Sequence, residues 1–212
     1  MTSEQDSTIF SADGRLYQVE YALKASEQGS NITFSIFDGK ASVAREIKNA
    51  NKLVEREDFL HKISENKYLT FSGLVPDFYV LKKAAVMILT NYKAQTSEEM
   101  STRQLVSKLS DFVQYATLSG KRPYGVQLLV VGVEKAPVCF VIEADGNFSE
   151  FFAGSIGRKK EEVISYLEKS NICENTSVKA IFDVIQNDFN KIEAFEISLA
   201  GINKLDQSKL VN

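Results

Sequence analysis

The stretch that most restricts the fold is "VQLLVVGV", Val126 to Val133, where apolar residues run without alternation from Leu128 to Val131. A strand with one wet face alternates apolar and polar residues, so an unbroken run marks a strand covered on both faces. The rest of the chain must supply those covers, and it does so in order. "NITFSIFDGKASVARE" reads as two strands joined at Asp38-Gly39, with Ile32, Phe34 and Ile36 alternating toward a core. "NKYLTFSG" predicts a third strand, ending at Gly73. From Pro76 the spacing turns helical, and Leu81, Ala84, Ala85, Ile88, Leu89 and Tyr92 share one face. A second helix follows "TSEEMSTRQ", with Leu105, Leu109, Phe112 and Val113 as its buried face. "GKRPYG" breaks that helix before the strands "VQLLVVGV" and "VCFVIEA", a turn at Asp145-Gly146 and one further strand in "NFSEFFAG". Helices are predicted from about Gly157 to Ser170 and from about Ser177 to Phe189, and a last strand in "AFEISLAGI".

Strands, two helices, strands, two helices, strand: this order buries every apolar face if two sheets pack together with a helical layer outside each. We therefore expect an α+β fold, a four-layer α-β-β-α sandwich. No repeat or linker divides it, so residues 1–212 are read as a single domain.

Most catalytic chemistry lacks its residues. His61 is the sole histidine, and no nucleophile elbow surrounds any serine, so no histidine-based triad is expected. With Cys139 and Cys173 far apart, no zinc spacing arises, and two reduced thiols are expected instead. Glu98-Glu99 and Glu161-Glu162 sit at helix starts, where negative charge is favoured, and adjacent helical residues point apart. "AGSIGRKK" is not a phosphate loop, because Gly154 and Gly157 are too close and Arg158 follows the second glycine; it reads as a tight strand-to-helix turn. An N-terminal nucleophile needs no histidine, and Thr2 would become terminal on loss of Met1. But "TSEQDS" is polar and distant from any strand, so Thr2 is not assigned that role. Twenty-five Lys and Arg against 28 Asp and Glu give a net charge of −3, with no basic excess to attract nucleic acid. "MTSEQDST" has neither the basic region nor the apolar run of a secretory leader, and no run is long enough to span a bilayer. A soluble intracellular protein is expected.

One segment is unexplained by core-building. "IFSADGRLYQVEYALKA", Ile9 to Ala25, precedes the first strand and carries Tyr17 and Tyr21 on a helix with Leu16, Val19 and Leu23. It closely resembles the signature of alpha-type subunits of the 20S proteasome, Phe-Ser-Pro-Asp/Glu-Gly-Arg-Leu-x-Gln-Val-Glu-Tyr-Ala, with Gly14 through Ala22 matching without a gap. "FSGLVPD" (Phe71–Asp77) resembles that family's Gly-Leu-x-x-Asp, and "RPYGVQLLVVGV" (Arg122–Val133) its Arg-Pro-x-Gly strand entry. "TIFSxxGRLYQVEYAxKA" and "LHKISEN" are most similar to the first alpha type.

The resemblance implies the N-terminal nucleophile hydrolase sandwich with an extra helix over about residues 16–26, preceded by a short tail, residues 1–10. It implies a non-catalytic place in a seven-membered alpha ring, stacked on beta subunits that hold the threonine proteases. Partners would be other alpha subunits, beta subunits and activators or a regulatory particle; neither cofactor nor metal is implied, and cytoplasm and nucleus are the implied compartments. Gly14, Arg15, Leu16, Tyr17, Gln18, Val19, Glu20 and Tyr21 would form the ring contact and entrance signature. Gly14, Lys62, Gly73 and Leu74 are candidates for the pocket between neighbouring subunits that receives activator tails. Strict register puts Phe59 at that pocket's lysine position, with Lys62 nearby on the opposite strand face. Catalytic siblings free a threonine after Gly-Thr, whereas here Gly29-Ser30 lies in an unbroken helix-to-strand passage. Two departures stand out: Asp6 is the sole remnant of the usual Tyr/Phe-Asp-Arg, and Ala12 replaces a proline. Other readings stay open: the helix merely caps its own core, the chain is an autonomous amide hydrolase, or it builds an alpha-like ring with no protease inside.

Overall fold

The strand Val126–Val133 is buried at all eight positions, and its two faces meet different layers. Val126, Leu128 and Val130 pack toward helices, while Leu129, Val131 and Val133 pack against a second sheet. The computed structural model describes residues 8–47, 53, 59–184 and 191–205. In chain order the elements are α1 (Tyr17–Glu27), β1 (Ile32–Phe37), β2 (Lys40–Glu46), β3 (His61–Ser64), β4 (Lys67–Gly73), α2 (Val75–Thr96) and α3 (Thr102–Leu118). Then follow β5 (Val126–Val133), β6 (Pro137–Ile142), β7 (Phe148–Phe151), β8 (Ala153–Ile156), α4 (Lys160–Lys169), α5 (Thr176–Val184), β9 (Ile192–Ser198) and β10 (Gly201–Leu205).

One five-stranded sheet runs β10-β9-β2-β1-β8 and the other β3-β4-β5-β6-β7, with antiparallel neighbours throughout. Between them lie Phe34, Val43, Phe59, Leu129, Cys139 and Ile197. Outside the second sheet, Phe78, Leu81, Ala85 and Leu89 of α2 and Leu105, Leu109 and Val113 of α3 cover Leu69, Leu128 and Ile142. Outside the first, Val178 and Ile181 of α5 cover Ala44 and Ala194, and Val163 and Leu167 of α4 pack on Ala180. This is the expected four-layer α-β-β-α sandwich. The β1–β2 turn places Asp38 and Gly39 both at positive φ, 47° and 71°, as a tight Asp-Gly hairpin requires.

Outside α1, the structure differs from the sequence reading in four places. β3 is absent from the reading by periodicity, and only the family resemblance puts Lys62 on a strand; four residues with only Ile63 buried leave no alternation to read. "NFSEFFAG" is two strands in different sheets: β7 pairs with β6, the chain steps across at Phe152, and β8 pairs with β1. β10 adds a hairpin partner to the last strand. Phe112 is 40% exposed rather than buried, stacked on Tyr124 at 6.0 Å, because Val113 and Leu109 take the inward positions. The expected end of α5 at Phe189 lies outside the described residues.

α3 begins with a reciprocal cap. Ser101 Oγ accepts from Gln104 N at 3.3 Å, and Gln104 Oε1 accepts from Ser101 N at 3.1 Å. Ser101→Ala is expected to cost about 1 kcal/mol, read as a lower denaturant midpoint with unchanged slope.

Candidate functional site

α1 is entered through a tight turn. Gly14, at φ +72°, donates its N–H to Ser11 O at 2.9 Å, and Arg15 N donates to Ser11 Oγ at 3.0 Å. The turn aims Arg15 back along the helix, where its guanidinium forks onto Glu20, with Nε to Oε1 at 2.9 Å and a second contact from Nη2 to Oε2. The hydrogen bond from Arg15 holds the Glu20 carboxyl below the usual glutamate range. The same guanidinium lies 5.2 Å from the Tyr17 ring, which stacks on Tyr21 at 6.2 Å. Arg15, Tyr17, Glu20 and Tyr21 thus form one ordered outward array, with Tyr21 48% exposed.

The inner face is not the one expected. Val19, Ala22 and Ser26 are buried, whereas Leu16 and Leu23 are only half-buried. Small residues face inward because the helix approaches the ends of β4 and β5 at backbone contact. Ser72 Oγ donates to Ser26 O at 2.9 Å, and Leu74 N to Gly125 O at 3.0 Å. Three glycines make the approach feasible. A Cβ on Gly29 would overlap Ser72 Oγ and Gly73 N; one on Gly73 would overlap Gly125 O and lie 2.9 Å from Ser26 Cα; one on Gly125 would lie 3.2 Å from Ala25 Cβ.

Beneath this junction sits a clamp. Asp77, 5% exposed in the first turn of α2, accepts from Arg122 Nη1 at 2.8 Å, Arg122 Nη2 at 2.6 Å and Gly125 N at 3.0 Å. Burial pushes the Asp77 carboxyl up, but the Arg122 and Gly125 hydrogen bonds outweigh it and hold the group below the usual aspartate range. So "GLVPD" and "RPYG", remote in sequence, close on each other. Sequence reasoning found both motifs and missed their pairing, which only the β4–β5 register brings about.

The model of the proteasome subunit family matches residues 35–198 of this chain. The chain belongs to the proteasome subunit family. The N-terminal signature of A-type proteasome subunits matches residues 4–25, spanning the Gly14 turn and most of α1. Among relatives, a proteasome alpha subunit of Picrophilus torridus is 32% identical over 186 residues, 84% of this chain and 80% of the relative. One of Archaeoglobus fulgidus is 34% identical over 166 residues, 76% and 67%. A probable alpha type-3 subunit of Schizosaccharomyces pombe is 32% identical over 217 residues, 96% and 88%. Relatives named alpha types 2, 4, 6 and 7 fall between 28% and 31%, so overall identity does not separate the types.

Set in this proteasome subunit fold, the remaining candidates take definite places. Gly73 and Leu74 meet Gly125 at the junction. Lys62 is exposed opposite Tyr68, five positions before Gly73 on β4, about 17 Å along the strand. Gly14 lies at the far end of α1, so within one chain Gly14, Lys62 and Gly73 do not converge. Phe59 belongs to the inter-sheet core, 5.4 Å from the Phe195 ring, with the Arg45 guanidinium 4.6 Å over its own ring. His61 packs 4.9 Å from Phe78, and its Nδ1 accepts from Lys82 Nζ at 3.2 Å. Gly157 forms the expected tight turn: a Cβ there would overlap Ser30 O, and Lys159 N donates to Asn31 Oδ1 at 2.7 Å. Both cysteines are free; Cys139 is buried, which pushes its thiol up, and Cys173 is exposed. Thr2 and Asp6 lie outside the described residues. Among the described residues, no group of three or more His, Cys, Asp or Glu could hold a metal, and no helix is long and apolar enough to cross a membrane.

Proposed function

We propose that this chain is a non-catalytic alpha-ring subunit of the 20S proteasome core, helping to form the outer ring, the substrate entrance and the surface where activators dock. The observation that carries this reading is α1 itself. It is sealed onto the ends of β4 and β5 by Gly29, Gly73 and Gly125, and it turns the Arg15–Tyr17–Glu20–Tyr21 array outward. Freeing a nucleophile at Gly29-Ser30 would require cutting a passage packed against Ser72, Gly73 and Gly157. The array combines apolar area with hydroxyls and a fixed charge pair, chemistry suited to an inter-subunit contact. The outer faces of α2 and α3 expose Val80, Met87, Tyr115 and Leu118, further area for neighbouring subunits. A seven-membered ring with other alpha subunits, a stacked beta ring, residence in cytoplasm and nucleus, and the first alpha type complete the proposal, the type resting on "LHKISEN" and the residues around the signature.

The test is the native mass and subunit content of the complex that purifies with a tagged copy of this chain. A large particle holding several alpha and beta chains is expected, and a covalent threonine-directed proteasome probe should leave this chain unlabelled. A monomer, or a ring of this chain alone, overturns the assembly; labelling of this chain overturns the non-catalytic role.

A further inference from the structure

Where the chain steps from β7 to β8, a cavity of about 480 Å³ opens at the shared edge of the two sheets. Its floor is Phe34 and Val141, residues of the inter-sheet core, and one wall is Ile164 and Leu167 of α4. Gly154 keeps the floor open, since a Cβ there would press to 2.9 Å from Phe34 Cζ. Around the mouth, Phe151, Phe152 and Ile172 are 41%, 78% and 37% exposed. An apolar floor continued by three exposed large side chains is a surface that water leaves readily.

The charge around it is acidic on balance, since Glu150 meets Arg103 at 3.4 Å while Glu143 and Glu168 enter no ion pair among the described residues. Glu143, Glu150 and Glu168 line the cavity, and the single lysine there, Lys160, is held by Glu27 at 2.8 Å. We propose that this cavity docks an extended segment of another protein chain that carries a large apolar side chain beside lysine or arginine. The apolar side chain fills the space over Phe34, and the flanking cations face Glu143 and Glu168. An acidic segment would meet like charge on entry. A chain segment fits better than a compact ligand, because Phe152 and Ile172 extend the apolar surface beyond the cavity and only an occupant continuing past the mouth covers them.

The experiment measures binding of the full-length chain to a fluorescein-labelled Arg-Leu-Phe-Arg-Lys peptide by anisotropy, with Glu-Leu-Phe-Glu-Glu as the acidic counterpart. Phe152→Asp and Glu168→Lys are both at exposed positions, so the fold tolerates them; Glu162→Lys lies outside the cavity and controls for net charge. Saturable binding of the basic peptide is expected, weaker with added salt and weakened at least about tenfold by each cavity variant, but not by Glu162→Lys. No binding up to about 1 mM overturns the proposal. Equal binding of the acidic peptide, or indifference to both cavity variants, overturns it as well.

Discussion

Replacing Asp77 with alanine is expected to destabilise the chain by about 2–3 kcal/mol, with a fall of about 5–10 °C in the unfolding midpoint. Asp77 is buried and accepts three hydrogen bonds, two from Arg122 and one from Gly125 N. Its loss leaves the Gly125 N–H unpartnered in the interior, which is the larger part of the cost; Arg122, 62% exposed, rehydrates. Because Gly125 also holds Leu74 and touches Ala25, the damage reaches α1, whose amides should exchange faster than those of β5. A pH series separates charge from shape. The folded carboxyl titrates below the usual aspartate value, so its stabilisation is fully present above the unfolded value of about 3.9 and lost as pH falls through the folded one. Asp77→Asn keeps an acceptor but no charge. Its deficit against the parent chain should therefore hold at neutral pH and close below about pH 4. A deficit that persists unchanged into acid would show that the clamp acts by shape alone.

The layers of this fold were legible because strands and helices announce themselves by period. β5 reads as a doubly covered strand from its composition, and its two faces do meet different clusters. What period misses is the short and the small. β3 buries only Ile63 and β10 is mostly exposed, so neither has a pattern to read. The run "NFSEFFAG" has no Pro or Gly before Gly154 to break it, which hides the step at Phe152 between sheets. The same bias misjudged α1: large residues were assigned inward, yet the contact is made by Ala22 and Ser26 against glycines. Backbone contact rewards the absence of side chain, and no local pattern marks that. Both halves of the Asp77 clamp were visible as words in the sequence. Their meeting was not, because Asp77 and Arg122, 45 residues apart in the chain, are brought together by the register of β4 on β5.

Gly73→Ala and Gly14→Ala should separate the two jobs of the signature segment, holding the helix and presenting it. Gly73 has φ +118°, a region costly for any side chain, and its Cβ would overlap Gly125 O and crowd Ser26 Cα. Neither neighbour can yield, since both are backbone held by hydrogen bonds to Leu74 and Ser72. The expected loss is on the order of 3 kcal/mol or more, with α1 displaced and rapid proteolysis within residues 8–30. Gly14 also has positive φ, +72°, but open space surrounds it, so alanine costs about 1 kcal/mol and the chain stays folded. The two variants therefore differ in what they remove. Gly73→Ala takes away the seat of α1, and fold and assembly should fail together. Gly14→Ala leaves the seat and disturbs only the turn that orients Arg15 toward Glu20 and Tyr17. If the outward array makes the contact between subunits, Gly14→Ala should yield a folded chain that enters the large particle poorly. Normal incorporation of Gly14→Ala would mean that the turn serves α1 alone, and the contact would have to be sought on the exposed faces of α2 and α3.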